Sequence, residues 1–405
     1  MLVYNVTYIQ ILILIEWDIL VDKFVINIER KGVMMQKIIV IGAGILGAST
    51  AYHLTKLGAQ VTMVDREDPG QATDAAAGIV CPWLSQRRNK IWYQLAKGGA
   101  RYYPQLIAKL EADGETDTGY KRVGALSLHK DPNKLEQMAE RARKRREDAP
   151  EIGEIKILSP AETKKLFPPL SEEFGSVYVS GGARVNGQEL RNALTRAAIK
   201  NGATFLKGDA SILINENRVM GITLEEKTLL ADKVIVTSGA WAKELLQSLG
   251  LEFSVKPQKA QIIHLQLLET DTSSWPVVMP PHTQYILTFE NGLVVVGSTH
   301  ENDKGFDTRV TAGGINEILS QALETAPGLA NSTVLETRVG FRPFTPGFLP
   351  VAGPLPDWNG IYVANGLGSS GLTSGPYLGA ELAKLVTGQE TEIDLNNYCV
   401  DNAIL

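Results

Sequence analysis

Lys37-Ile-Ile-Val-Ile-Gly-Ala-Gly-Ile-Leu-Gly-Ala-Ser-Thr50 is the stretch from which the rest of the chain can be read. The unbroken apolar run from Ile38 to Ile41 predicts a strand buried on both faces, as in a parallel sheet. The run stops at Gly42, and helical periodicity follows through Leu57. Gly42, Gly44 and Gly47 form G-x-G-x-x-G after a strand and at the head of a helix, the context the motif requires. Gly42 allows a tight turn, Gly44 lets the backbone approach a pyrophosphate, and Gly47 lets helix and strand pack closely. Ile45 and Leu46 open the helix, whose free N–H groups would face the phosphates.

A second strand at 60–64 ends in Asp65, 18 residues beyond Gly47. That is close to the spacing of roughly 20 expected for an acid that binds a ribose. A carboxylate there accepts from a ribose hydroxyl and repels a 2′-phosphate, which favours FAD or NAD over NADP. Arg66 beside it slightly weakens that exclusion. The alternative, a glycine-rich turn with no ligand, does not account for strand, helix, second strand and acid together. The pattern specifies a dinucleotide and leaves open which one.

With 405 residues there is room for two or three domains with substantial cores. An apolar content of 44% and a charged content of 21% are those of an ordinary globular protein. A net charge of −5 provides no basic field, so nucleic acid is not an expected partner. Cys81 and Cys399 are too few and too far apart for a metal cluster or a disulfide framework, and this usage fits a reducing cytoplasm. His53 falls on the helix after the glycine turn and reads as structural. His129, His264, His282 and His300 show no metal-ligand spacing, and none of them is assigned to a ligand pocket.

Further along, the small residues of 70–80 read as a loop entering a helix, with Thr73 offering a hydroxyl. Helices are expected at 91–110, 134–148 (a charge run with a solvated face), from 159, at 187–201 and at 312–325. Strands are expected at 123–128, 175–179 and 204–206, and as a hairpin at 210–214 and 218–224. The buried strand at 233–236 stops at Ser238-Gly239, a second place where backbone could meet a cofactor. Between 253 and 299 the pattern alternates, with Asn291-Gly292 as a hairpin turn, which predicts a separate antiparallel sheet.

Taken together, these stretches resemble the FAD-dependent D-amino-acid oxidase superfamily, in its glycine oxidase, sarcosine oxidase and D-amino-acid dehydrogenase branches. The resemblance spans 36–388. Besides the glycine turn, it is carried by Ala72-Thr-Asp-Ala-Ala-Ala-Gly-Ile79, Val234-Ile-Val-Thr-Ser-Gly-Ala-Trp241, Gly340-Phe-Arg-Pro-Phe-Thr-Pro346 with Leu349-Pro-Val-Ala-Gly353, and Val363-Ala-Asn-Gly-Leu-Gly-Ser-Ser-Gly-Leu-Thr373. It implies an α/β fold in which a Rossmann-like FAD-binding domain carries an inserted antiparallel substrate domain. The FAD-binding domain would comprise 35–120, 175–252 and 338–390, and the substrate domain 121–174 and 253–337, with a tail at 391–405.

By the same resemblance, Thr73, Ala77, Gly78 and Ile79 would wrap the flavin and pyrophosphate. A backbone group near Ala210 would hold the adenine, with Gly239 nearby. Gly366, Leu367, Gly368, Ser369, Ser370, Gly371, Leu372 and Thr373 would lie against the isoalloxazine. The chemistry implied is hydride transfer from Cα of a small amino acid or N-methyl amino acid to flavin N5, followed by imine hydrolysis. Oxygen or another carrier would accept the electrons, and a homo-oligomer is common in the family. Arg342 would bind the substrate carboxylate, since a guanidinium offers two parallel donors, and Tyr285 would reach the same carboxylate.

Two departures from the family pattern bear on substrate. The turn after Arg342 reads Thr345-Pro-Gly-Phe348 where relatives have an acid, and Ser369 stands where glycine oxidases have another arginine. Carboxylate binding then rests more on Arg342 alone, and glycine is a less secure substrate. No cysteine falls within 340–373, so non-covalent FAD is expected. The competing readings are a nicotinamide-dependent dehydrogenase, which the second glycine loop disfavours, and a flavin-binding subunit without turnover.

The first 34 residues match none of this. The apolar segment at 8–20 carries Glu16 and Asp18, is too short to span a bilayer, and lacks the basic start of a signal peptide. Because nucleotide-binding strands of this type usually begin within a few residues of the N-terminus, translation is expected to start at Met34 or Met35. The intact mass of protein from its native host checks this, and a species containing Met1 to Val33 would refute it.

Overall fold

The computed structural model describes residues 35–405, and the expected extension lies outside the described residues. Lys37–Ile41 is a strand with every residue after Lys37 buried, as its unbroken apolar run requires. It pairs in parallel with Gln60–Asp65 on one side and Lys233–Val236 on the other. Thr204–Lys207 and Ile361–Asn365 extend this sheet in parallel, and Val351–Pro354 closes its edge antiparallel. Parallel strands need covered faces. The helices Ile45–Lys56, Gly187–Lys200 and Gly371–Val386 pack together over one face. The antiparallel meander Ala210–Asn215, Arg218–Leu224 and Lys227–Leu230 covers the other.

The second layer is an eight-stranded sheet. Its order is Thr333–Phe344, Lys256–Gln266, Leu293–Gly297, Tyr285–Thr288, Val277–Met279, Ala125–His129, Gly175–Val179 and Ile155–Leu158. All neighbours are antiparallel except Val277–Met279 against Ala125–His129. Asn291 and Gly292 take positive φ values of 57° and 76°, the pair a two-residue hairpin turn needs. One face of this sheet packs on the core of the nucleotide layer, and the other packs on Ala312–Thr325.

Two expectations need correction. The 70–80 segment enters no helix; it runs through turns to the short strand Ile79–Val80 and a 3-10 turn at Pro82–Leu84. Its backbone is claimed by other segments instead. The Gly70 carbonyl accepts from Phe341 N (2.9 Å), Gly78 O from Val185 N (2.8 Å), and Ile79 O from the Thr373 hydroxyl (2.9 Å). The charge-run helix, Pro132–Arg146 and capped by Asp131, has the expected solvated face, opposite a buried stripe of Leu135, Met138, Ala139 and Ala142. The strands Gly175–Val179 and Thr333–Phe344, which the sequence division assigned wholly or largely to the nucleotide part, pair in the eight-stranded sheet.

No described helix is long and apolar enough to cross a membrane. The helix Lys90–Ala112 presses Gly98 and Gly99 against Gly371–Val386, and a Cβ on Gly99 would overlap the Thr373 carbonyl. Gly99→Ala is expected to push away the helix that carries the second glycine loop. A loss of about 1–3 kcal/mol in urea unfolding is the expected result.

Candidate active site

Between the two sheets lies a cavity of about 690 Å³, within the usual range for a small-molecule site. Its first wall is the glycine turn. Gly42 has φ +98°, and its amide donates to Val64 O (2.8 Å) while Thr237 Oγ1 donates to Gly42 O (2.7 Å). A side chain on Gly47 would overlap the Gly42 carbonyl, so Gly47 sets helix-to-strand packing and does not itself line the cavity. Gly44 caps Ile45–Lys56 without any side chain to claim the first-turn amides, and Ile45 N donates to the Thr73 hydroxyl (3.0 Å). Such a helix start is built to receive phosphate oxygens.

Asp65 ends the second strand and receives Ala43 N (2.6 Å), Glu67 N (2.6 Å) and Gln71 Nε2 (2.8 Å). Those bonds aim the carboxylate at the cavity and leave a lone-pair position for a ribose hydroxyl. Arg66 does not offer a free cation beside it. Its guanidinium is surrounded by Asp68 (2.6 Å), Asp209 (3.4 Å) and Glu244 (3.6 Å), all lining the cavity. A 2′-phosphate would meet four carboxylates there, so the sequence-level concession to NADP disappears.

Most of the expected cofactor residues reach the cavity: Gly42, Gly44, Ile45, Leu46, Asp65, Arg66, Thr73, Ala77, Gly78, Ile79, Ala210 and Gly239 from the nucleotide end. Gly366, Leu367, Gly368, Ser369, Gly371 and Leu372 reach it from the second glycine loop. Ser370 and Thr373 do not. The Ser370 hydroxyl accepts from Trp92 Nε1 (2.9 Å) and the Thr373 hydroxyl donates to Ile79 O, so both brace the loop from behind. Asn365, which the sequence reading passed over, ties the two backbone walls together. Its side chain donates to Gly239 O (2.8 Å) and accepts from Gly366 N (2.7 Å). Ser238 adds a buried hydroxyl with no protein partner. An uncapped helix start, a terminal carboxylate and an orphaned hydroxyl along one cavity fit a flavin dinucleotide.

At the opposite end, Arg342 and Gln258 face each other across adjacent strands. Arg342 donates to Gln258 Oε1 (3.2 Å) and to the Ser298 hydroxyl, and the Tyr285 phenol hydrogen-bonds the same guanidinium. Burial pushes its pKa down, with Tyr285 opposing, and no acid among the described residues pairs with it. Gln258 and Ser298 carried no sequence signal, because strand pairing alone brings them to Arg342. His282 and His300 also line the cavity, which corrects the reading that placed no histidine there. The His282 ring is engaged with Gln284 N (3.3 Å) and Thr325 Oγ1 (3.3 Å). Cys81 reaches the cavity from outside the 340–373 loops, but burial pushes its thiol up to about 12, far from the thiolate that a covalent link would need.

A dinucleotide turn facing an antiparallel sheet that presents an unpaired guanidinium defines a flavin-dependent oxidoreductase. The family model described as FAD dependent oxidoreductase matches residues 37–385, and the chain belongs to that family, DAO, with FAD as its cofactor. It is 65% identical over 365 residues to the uncharacterized oxidoreductase YurR of Bacillus subtilis, covering 90% of this chain and 98% of that one. A glycine oxidase of Pseudomonas aeruginosa is 30% identical over 371 residues, covering 90% and 98%. The crystal structure of iminodiacetate oxidase (IdaA) from Chelativorans sp. BNC1 is 47% identical with a TM-score of 0.87, covering 89% of this chain and 98% of that one.

Asp65→Asn replaces one carboxylate oxygen with an NH2 group, which then faces one or two of the three N–H donors and removes the negative charge. The FAD dissociation constant, read from flavin released on dilution, is expected to rise at least about tenfold.

Proposed function

We propose that this protein oxidises the C–N bond of a small amino acid, of the glycine, D-amino-acid or N-substituted-glycine type, using non-covalent FAD. The observation that carries this reading is Arg342: a guanidinium lining the cavity, held by neutral Gln258, Ser298 and Tyr285, with no acid among the described residues to neutralise it. Similarity to an iminodiacetate oxidase and to glycine oxidases supports the same chemistry. In this reading, residues from the 35–120, 175–252 and 338–390 segments hold the cofactor, except that Arg342, on a strand of the eight-stranded sheet, joins those of 121–174 and 253–337 on the substrate side.

FAD, when bound along the glycine turn, Asp65 and the 366–372 loop, supplies the acceptor for an electron pair and a hydrogen from Cα. The chain's own part is placement. Even with its three protein partners Arg342 keeps N–H donors for a carboxylate, and the Tyr285 hydroxyl accepts from Arg342 while its own proton remains available. The carboxylate is thereby fixed at two points and Cα held in one orientation. No acid lines this end among the described residues, so a substrate ammonium there would face Arg342 without a counter-charge. That favours the free amine, the form whose nitrogen lone pair can assist loss of hydrogen from Cα. Oxidation removes two electrons and two protons in all and leaves an imine. Water then adds across the C=N bond and releases an amine or ammonia and a 2-oxo acid.

Anaerobic mixing with glycine, sarcosine, iminodiacetate, proline and D-amino acids tests the reading by bleaching of the yellow colour, and bleaching by none would refute it. Arg342→Ala is expected to purify yellow but to lose about 10²- to 10³-fold in the second-order constant for flavin reduction. Unchanged reduction kinetics would remove Arg342 from this role.

A further inference from the structure

The acids lining the cavity are segregated. Asp65, Asp68, Asp209 and Glu244 all gather at the nucleotide end around Arg66. The end walled by the eight-stranded sheet has no acid among its described lining residues, but it has Arg342, His282 and His300. His282 is occupied by its own turn and by Thr325. His300 is exposed to the cavity, and no acid acts on it. Its neighbour Glu301 is turned toward Gln261 (2.7 Å), the Thr299 hydroxyl (2.8 Å) and the buried Lys259 (4.0 Å).

One short segment presents both basic groups. The Ser298 hydroxyl accepts from Arg342, and His300 follows two residues later and lines the same cavity. Loss of solvent in the cavity and, after it, the nearby Arg342 charge lower the His300 pKa. In the free protein the imidazole is therefore held neutral, and an arriving negative charge favours its protonation. A single carboxylate satisfies Arg342. It leaves His300 without a partner.

We propose that His300 is a second anion-recognition group of this site, and that the substrate class is an amino acid with two carboxylates, one bound by Arg342 and the other by His300. This rests on the amine-oxidation reading above and narrows it. A neutral imidazole has one acceptor nitrogen, so binding a carboxylate there places a proton on the ring. The two incoming charges offset the Arg342 repulsion that opposes this proton. Arg342 on Thr333–Phe344, the Tyr285 phenol on Tyr285–Thr288 and His282, held by Gln284 N and Thr325, are the other titratable groups at this end, and Glu301 faces away. The second carboxylate has two possible positions, on the amine substituent as in iminodiacetate or on the Cα side chain as in aspartate.

Non-reacting probes separate this from turnover. Diglycolate carries the two carboxylates of iminodiacetate on an ether, succinate those of aspartate without the amine, and methoxyacetate only one. Their dissociation constants are read from perturbation of the flavin spectrum in the yellow holoprotein. Diglycolate or succinate is expected to bind at least about tenfold more tightly than methoxyacetate, and the better of the two gives the position of the second carboxylate. His300→Ala, at an exposed position, should abolish that advantage and leave methoxyacetate unchanged, while His300→Arg should retain it. Equal affinities for one and two carboxylates in the wild type would overturn the proposal, as would an advantage that survives His300→Ala. A dicarboxylate advantage with no amine able to bleach the flavin would refute amine oxidation while leaving the anion site in place. Bleaching by glycine or sarcosine with no such advantage would do the reverse.

Discussion

One backbone hydrogen bond, from the Phe341 amide to the Gly70 carbonyl at 2.9 Å, joins the two halves of the site. Gly70 opens the loop that carries Thr73 and Gly78, and Phe341 precedes Arg342 on the long strand Thr333–Phe344. Alternation along that strand sends Phe341 and Arg342 to opposite faces. Phe341 is buried at 1% exposure and meets Trp241 and Phe306 edge-on, and it lines the cavity together with Arg342. Fixing Phe341 to the cofactor loop therefore also fixes where the guanidinium stands. The contact is close enough that a Cβ on Gly70 would overlap the Phe341 ring.

The same economy appears in the charges. Arg66, with three acids around it, belongs to the nucleotide end, and Arg342, with none, belongs to the other. Two arginines lining one cavity thus have opposite meanings, and the difference lies in their partners. A neutralised guanidinium closes off one cofactor choice, whereas an unpaired one held by neutral groups calls for an anion that the protein does not provide. The same logic extends to His300, which follows Ser298 by two residues and lines the end of the cavity where no described lining residue is an acid.

Much of the local structure was legible in the chain. The glycine turn, the acid at 65, the Asn291-Gly292 hairpin and the helix Ala312–Thr325 are readable because each depends on neighbours within a few residues. The errors share one cause. Residues 70–80 were read as leading into a helix because small residues permit one, but their carbonyls are taken by Phe341, Val185 and Thr373 from distant segments. Ser370 and Thr373 were assigned to the cofactor because they lie in a glycine loop. Which side of that loop faces the cavity is set by Trp92 and Ile79.

What the amino-acid order determined by itself is a glycine turn between strand and helix, an acid at the end of the second strand, an alternating sheet and the presence of Arg342, all readable from local pattern and periodicity. The tertiary structure alone decided which partners each side chain has. Cross-strand register sets Gln258 against Arg342, the end of another strand brings Ser298 to it, and loop packing surrounds Arg66 with acids. Whether a charge is neutralised or left to attract a ligand depends on residues tens to hundreds of positions away. A linear pattern has no access to that information, because hydrogen bonding and Coulomb energy depend on distance in space.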